Sequence, residues 1–254
     1  MNYLEKSPPF IKPEIYNLYP NLIAGQSTRH GGVSFTPFDS LNLSFSVGDK
    51  SENVQINRML LCKHLGISEE KLVTSTQVHG SDCLIAEKPG HFIGYDAIIT
   101  NKPNLFVSVS IADCVPILIY DPVQKVVGAV HAGWKGTQLE IVKKTIQLLT
   151  AIFETRASDC RAYIGTSIKA NDYEIGYDVA QHFSESYLTT TTIMQKWFLD
   201  LPKANYDQLI KTGVSTNNIE TSVYSTYSDS EHFFSYRKSK AKTGRMMAII
   251  GLKS

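Results

Sequence analysis

Two apolar runs separated by a short polar break constrain this chain more than any other feature. Phe106 to Tyr120 is the first, Val126 to Val130 is the second, and Asp121-Pro122-Val123-Gln124-Lys125 lies between them. Runs this apolar read as core strands, and an Asp-Pro break reads as a turn. A hairpin with a four-residue loop pairs Tyr120 with Lys125 and sets Cys114 opposite His131, ~4.5–5.5 Å apart on one face. A thiol and an imidazole held that close suit either a metal centre or a nucleophile–base pair. Gly133 and Gly136 follow the histidine, so backbone can approach a ligand there. A helix expected to start at Thr137 would aim free N–H groups at the same region, which suits an anion.

His79 is the natural third ligand, because it ends an expected strand and precedes Gly80 in a chain with seven histidines. With Cys114 and His131 it makes a His₂Cys set. Three protein ligands leave one tetrahedral position open, as catalytic zinc requires. The order of residues around Gly133-Trp134-Lys135-Gly136-Thr137 does not fit a Walker A loop. Helix-borne HExxH, the paired H-x-E and P-C-x-x-C of zinc deaminases, and a G-x-S-x-G elbow are all missing from the sequence. A multinuclear copper oxidase needs many imidazoles, and seven scattered histidines do not house one.

A net charge of +1 gives no bulk field for nucleic acid or an anionic membrane. The basic cluster Arg237, Lys238, Lys240, Lys242 and Arg245 reads as solvated surface, with small phosphorylated ligands still open. Met1 to Pro9 lacks the basic start and apolar centre of a secretory signal. No apolar run reaches the roughly 18–20 residues needed to span a bilayer. Cys62, Cys83, Cys114 and Cys160 are far apart and form no C-x-x-C pair, which argues against a zinc ribbon or a disulfide framework. The expectation is a cytoplasmic enzyme with reduced thiols.

Strands are expected within 10–28, over Leu72–Val78, Cys83–Ala86, Ala97–Thr100, Leu105–Tyr120, Val126–His131, Arg161–Ile164 and Trp197–Leu201. Phe233–Tyr236 and Met246–Leu252 read as closing strands. Helices are expected over Ser51–Leu65, with Gly66 past its end, and from a capping box at Thr137–Glu140 to Phe153. Shorter ones are expected over Asp178–Tyr187 and Asn205–Thr212. Arg29 to Asp49 reads as a long functional loop. Hairpins mixed with helices give an α/β fold: a single domain spanning 1–254, with mixed or antiparallel sheets and helices packed outside.

A set of motifs carries a family resemblance. In order they are Thr28-Arg29-His30-Gly31-Gly32-Val33-Ser34, Pro37-Phe38-Asp39-Ser40-Leu41-Asn42-Leu43, Asn57-Arg58, Gln77-Val78-His79-Gly80 and Asp96-Ala97-Ile98-Ile99-Thr100. Ala112-Asp113-Cys114, His131 to Thr137, Phe233 to Arg237 and Thr243-Gly244-Arg245 complete it. The chain resembles the YfiH/YlmD-like family, also called laccase-domain, polyphenol oxidase or peptidoglycan editing factor proteins. The resemblance implies a single α/β domain similar to a toxin deamidase fold, with zinc on His79, Cys114 and His131 and copper the weaker inheritance. It implies phosphorolysis of adenosine, inosine and methylthioadenosine, and deamination of adenosine. The implied partners are purine nucleosides and phosphate, without nucleic acid or membrane. The chain departs from the family pattern at Thr166-Ser167, where Pro-Cys is common, and at Ser225-Thr226, where Cys-Thr is common.

On that basis Asp113, beside a ligand, is a candidate acid/base or else a structural carboxylate. Arg29, Arg58 and Arg237 are candidates for holding phosphate, since guanidinium groups bind it bidentately. Asn42 and Gln77 are candidates for ribose or base. A metal-free cysteine hydrolase or deamidase, with Cys114 as nucleophile and His131 as base, is the rival. A non-enzymatic scaffold that only binds nucleoside-like ligands is a third possibility.

Overall fold

In a strand buried on both faces, alternate residues must fill two different cores. The central strands here do so. The computed structural model describes residues 10–191 and 196–254, so Met1 to Pro9 lie outside the described residues. In chain order the elements begin with β1 (Phe10–Ile11), β2 (Leu22–Ser27), α1 (Ser51–Leu65), β3 (Leu72–Thr76), β4 (Cys83–Ile85) and β5 (Gly90–Ile93). β6 (Ala97–Thr100), β7 (Phe106–Ile111), β8 (Val115–Asp121), β9 (Val126–Ala132), α2 (Trp134–Gln138) and α3 (Ile141–Phe153) follow. The remainder is β10 (Arg161–Ile164), β11 (Glu174–Ile175), α4 (Tyr177–Ala180), β12 (Leu188–Thr191), β13 (Lys196–Leu199), α5 (Leu201–Lys211), β14 (Ile219–Thr221) and β15 (Met246–Leu252).

One six-stranded sheet runs β1-β2-β15-β7-β3-β5, a second runs β14-β10-β8-β9-β6-β4, and β11-β13-β12 form a small third. Parallel pairs such as β3/β7 and β4/β6 stand beside antiparallel ones such as β8/β9 and β7/β15. The two large sheets pack face to face. Val107, Val109, Ala248 and Ile250 of the first meet Ile98, Leu118, Tyr120 and Ala129 of the second. On the far side of the second sheet, Ile99, Ile117, Ile119 and Val130 pack on Ile141, Val142, Ile146 and Leu149 of α3 and on Leu201 and Leu209 of α5. On the far side of the first sheet, Phe106, Met247 and Ile249 pack on Leu61 and Cys62 of α1. The result is four layers, helix–sheet–sheet–helix, in a mixed α/β domain as expected.

Several local expectations change. The run Leu105–Tyr120 is two strands, not one: β7 belongs to the first sheet and β8 to the second. The chain crosses between sheets at Ala112-Asp113-Cys114, where Asp113 takes a positive φ of 86°. The hairpin register also moves. Asp121 pairs with Val126, so Pro116, not Cys114, is opposite His131. The cause is an Asx turn, in which Asp121 Oδ1 accepts from the amides of Val123 (2.8 Å) and Gln124 (3.1 Å). The loop therefore runs Pro122–Lys125. A shift of two keeps every side chain on its predicted face.

The capping box does not form either. Thr137 lies inside α2, its hydroxyl accepting from Asn205 Nδ2 at 2.9 Å, and the helix breaks at Glu140 (φ 59°) before α3 begins. Asp178–Tyr187 holds only the short α4 and a 3-10 turn, and α5 starts four residues before the expected Asn205. Phe233–Tyr236 is turn structure, with Phe233 and Phe234 buried against Ile111 and Met246. None of the described helices is long and apolar enough to cross a membrane.

Candidate metal centre

His79, Cys114 and His131 come from three segments that end together. His79 follows β3, Cys114 sits on the crossover before β8, and His131 lies in the last turn of pleat of β9. Their ligand atoms all lie within 4.8 Å of one another. The two imidazoles stand nearly perpendicular, at 82°, with centroids 4.8 Å apart. This is a group that could hold a metal ion.

The chain fixes both histidines through one carboxylate. Asp96, fully buried at the start of β6, accepts from the amides of Val78 (3.1 Å), His79 (3.0 Å) and Gly80 (2.7 Å). It also accepts from His131 Nδ1 at 2.8 Å, which leaves Nε2 as the nitrogen free to take a metal. Its backbone carbonyl takes the His131 amide at 2.7 Å. The turn carrying His79 is further tied by Gln77, whose amide group exchanges two hydrogen bonds with the Ser110 backbone (2.9 and 2.7 Å). Gly133 leaves the space for the group: a Cβ there would sit 3.0 Å from the His79 ring and 3.2 Å from Cys114 Sγ.

The electrostatics follow from this packing. Burial by itself would raise the Cys114 thiol, but the charge of His131 and hydrogen bonds from both histidines draw it down to about 6. Burial opposes charge on His131, yet Cys114 and Asp96 raise it to about 9. Each member of the pair thus favours the charged form of the other. Asp96 is held below the usual carboxylate value, because hydrogen bonds from His131 and the turn amides outweigh its burial.

These groups form one end of a cleft of about 920 Å³. Arg58, Gln77, Asp113 and Arg237 line it as well. Arg29 and Asn42 do not. Arg29 is committed to the Asp39 and Ser230 carbonyls and to the Asp39 carboxylate (3.0 Å). Asn42 is fully buried, joining Ser44, Asp49 and the Arg245 amide. Asp113 is a strut: Oδ1 accepts from Thr226 Oγ1 and Oδ2 from the Arg237 amide, both at 2.6 Å. The sequence reading missed Asp96, Arg245, His91, Tyr173 and Tyr236. Of these, Asp96, Tyr236 and Arg245 stood in the family motifs, and Arg245 also in the basic cluster read as solvated surface, but nothing in their local patterning marked a role.

Residues 23–253 match the family described as "Multi-copper polyphenol oxidoreductase laccase". The chain belongs to this laccase-domain family. Similar proteins include the purine nucleoside phosphorylase YlmD of Bacillus subtilis, 34% identical over 247 residues, covering 91% of this chain and 89% of that one. A purine nucleoside phosphorylase of Deinococcus radiodurans is 36% identical over 237 residues, covering 92% and 91%. The crystal structure of Bacillus licheniformis hypothetical protein YfiH superposes with a TM-score of 0.93 at 30% identity, covering both chains in full. The two departures from the family pattern are neighbours here: Ser167 and Ser225 form an isolated bridge.

Proposed function

We propose that this chain is a zinc-dependent purine nucleoside enzyme. Its reactions are phosphorolysis of adenosine, inosine and S-methyl-5′-thioadenosine, and hydrolytic deamination of adenosine. The observation that carries this is the His79–Cys114–His131 set at the end of a large cleft flanked by arginines. The phosphorylase names of the relatives support the substrate class.

The donor set fits zinc: two imidazoles and a thiolate, one ring oriented by a carboxylate, and a glycine keeping the space clear. Copper accepts the same donors, but a multi-copper centre needs more of them, and among the described residues one such group exists. When bound, zinc would supply Lewis acidity beside the cleft.

The chain's own residues do the rest. Arg237 and Arg245 hold the phosphate, whose oxygen attacks the ribose anomeric carbon while the bond to the purine nitrogen breaks and that nitrogen gains a proton. Asp113 positions Arg237 through its amide. Tyr173 and Tyr236, stacked under Arg237 (5.3 Å) and Arg245 (5.4 Å), give the cleft flat walls for a purine. In deamination, water adds at C6 and ammonia leaves. We place these reactions in the cytoplasm, consistent with four free cysteines.

Metal analysis should find about one zinc per chain, and His79→Ala or Cys114→Ala should remove it along with activity. Chromatography of adenosine incubated with phosphate should show adenine, and without phosphate inosine. Neither product appearing would sink the nucleoside assignment, and full activity after chelation would sink the metal. The depressed Cys114 thiol favours one rival, a metal-free cysteine hydrolase. Iodoacetamide that abolishes turnover in metal-stripped, still active protein would select it.

A further inference from the structure

Three of the chain's six arginines, Arg58, Arg237 and Arg245, line the cleft. Among the described residues none of the three is bridged to a carboxylate, whereas Arg29 and Arg156 pair with Asp39 and Asp159. Asp113 is the one carboxylate on the cleft wall, and both its oxygens are already taken. The cleft thus sets three guanidinium groups against one carboxylate, with none of the three paired to it directly.

The arginines divide into two groups. Arg245 and Arg237 stand with the ligands: Cys114 and Asp113 act on Arg245, and the Arg237 amide binds Asp113. Arg58 projects from α1, where the charge acting on it comes from Glu69. Its Nε donates to the Leu43 carbonyl at 2.9 Å, and its guanidinium lies 4.6 Å over the Phe45 ring. A guanidinium has five N–H donors, and the two terminal nitrogens of Arg58 bond to none of the described residues. Ser44 and Ser46, with hydroxyls 2.9 Å apart, share its wall. Burial draws the Arg58 guanidinium below its usual value, and the Glu69 charge only partly opposes this. If Arg237 and Arg245 take the free phosphate, the terminal nitrogens of Arg58 stay without an anion in every complex with a neutral nucleoside.

We infer that Arg58, Phe45 and the Ser44–Ser46 hydroxyls form a second anion subsite, which takes a phosphate group carried by the nucleoside ligand itself. Nucleoside monophosphates therefore occupy the cleft. The guanidinium fork offers two parallel bonds to a phosphate while its face rests on Phe45. This rests on the purine nucleoside reading.

Calorimetry on the zinc-loaded full chain tests it, with adenosine, adenosine 5′-monophosphate and ribose 5-phosphate as probes. The monophosphate should bind at least about tenfold tighter than adenosine, as charge-assisted bidentate bonds predict. In Arg58→Gln that ratio should fall to about one. Arg58→Lys keeps the charge without the fork and should give an intermediate ratio, which serves if the glutamine variant does not fold. An Arg58 that only supports the loop would weaken both ligands together and leave the ratio unchanged, overturning the proposal. Loss of the preference under saturating inorganic phosphate would also overturn it, because the subsite would then belong to the free anion. If adenosine neither binds nor reacts, the purine reading fails by itself. Ribose 5-phosphate then decides the subsite: binding that depends on Arg58 sustains it, and binding indifferent to Arg58 refutes it.

Discussion

A single buried carboxylate, Asp96, holds His131 by its Nδ1 and the His79 turn by three amides, so its loss frees two proposed ligands at once. Asp96→Asn should lower zinc affinity about 10–100-fold, measured by chelator competition, since outer partners of this kind typically matter that much. The same change should flatten the acid limb of stability. The folded Asp96 pKa lies below its ordinary value of 3.8, so its contribution is present at neutral pH and is lost as pH falls through the folded value. Wild type should therefore lose more stability than the variant on acidification below about pH 4. Cysteine chemistry gives a second check. Burial pushes Cys62 up to about 11 and Cys83 and Cys160 up to about 12, while Cys114 is drawn down to about 6. Metal-stripped protein at neutral pH should take one iodoacetamide, at Cys114, with a rate that rises with pH and levels off above about 7. Bound zinc should block it. Labelling of several cysteines at equal rates would contradict this microenvironment.

At the scale of elements, α1 follows its sequence closely. Its bounds are the expected ones, and Gly66 closes it in the left-handed region (φ 62°), donating to the Cys62 and Lys63 carbonyls. Gly66→Ala should cost about 1 kcal/mol, a loss of ~2–4 °C in Tm for a domain this large, with activity retained. A calorimetric scan showing no shift would mean the cap is not strained by a side chain. The β8–β9 hairpin was legible in its turn and its faces but not in its register, because Asp121 captures two amides and moves the loop by one residue on each arm. The break between α2 and α3 was illegible. Thr137-Gln138-Leu139-Glu140 has the composition of a capping box, but Thr137 is drawn into α2 by Asn205 and Gln208 of α5, at 2.9 and 2.8 Å. Tertiary partners outbid the local signal.

For the whole molecule, two sheets in contact mean that each central strand serves two cores. Leu118 is fully buried between the sheets, whereas Ile117 and Ile119 face α3 and α5. Leu118→Ala should destabilise by about 2–5 kcal/mol in chemical denaturation, as cavities in tight cores do. It lies away from the cleft lining, so nucleoside turnover measured well below Tm should persist. A cost under 1 kcal/mol would show that the inter-sheet layer is loosely packed. The same stacking brings the ends of β3, β7 and β9 to one edge, and the cleft opens there.

The sequence by itself determined the class of fold, the period-two burial of the central strands, helix α1 with its glycine stop, and the donor types of the site. These depend on side-chain chemistry and short-range periodicity, which local patterning records. Tertiary structure decided where the long apolar run divides. Nothing in Phe106 to Tyr120 says that Asp113 turns the chain from one sheet into the other, because that turn is held by Thr226 and Arg237, over a hundred residues away. It also decided that Asp96 serves two histidines, that Arg29 and Asn42 are spent inside loops, and that Arg58 faces an open cleft. Each is a pairing between distant residues, set by which buried polar groups need partners once the sheets have closed.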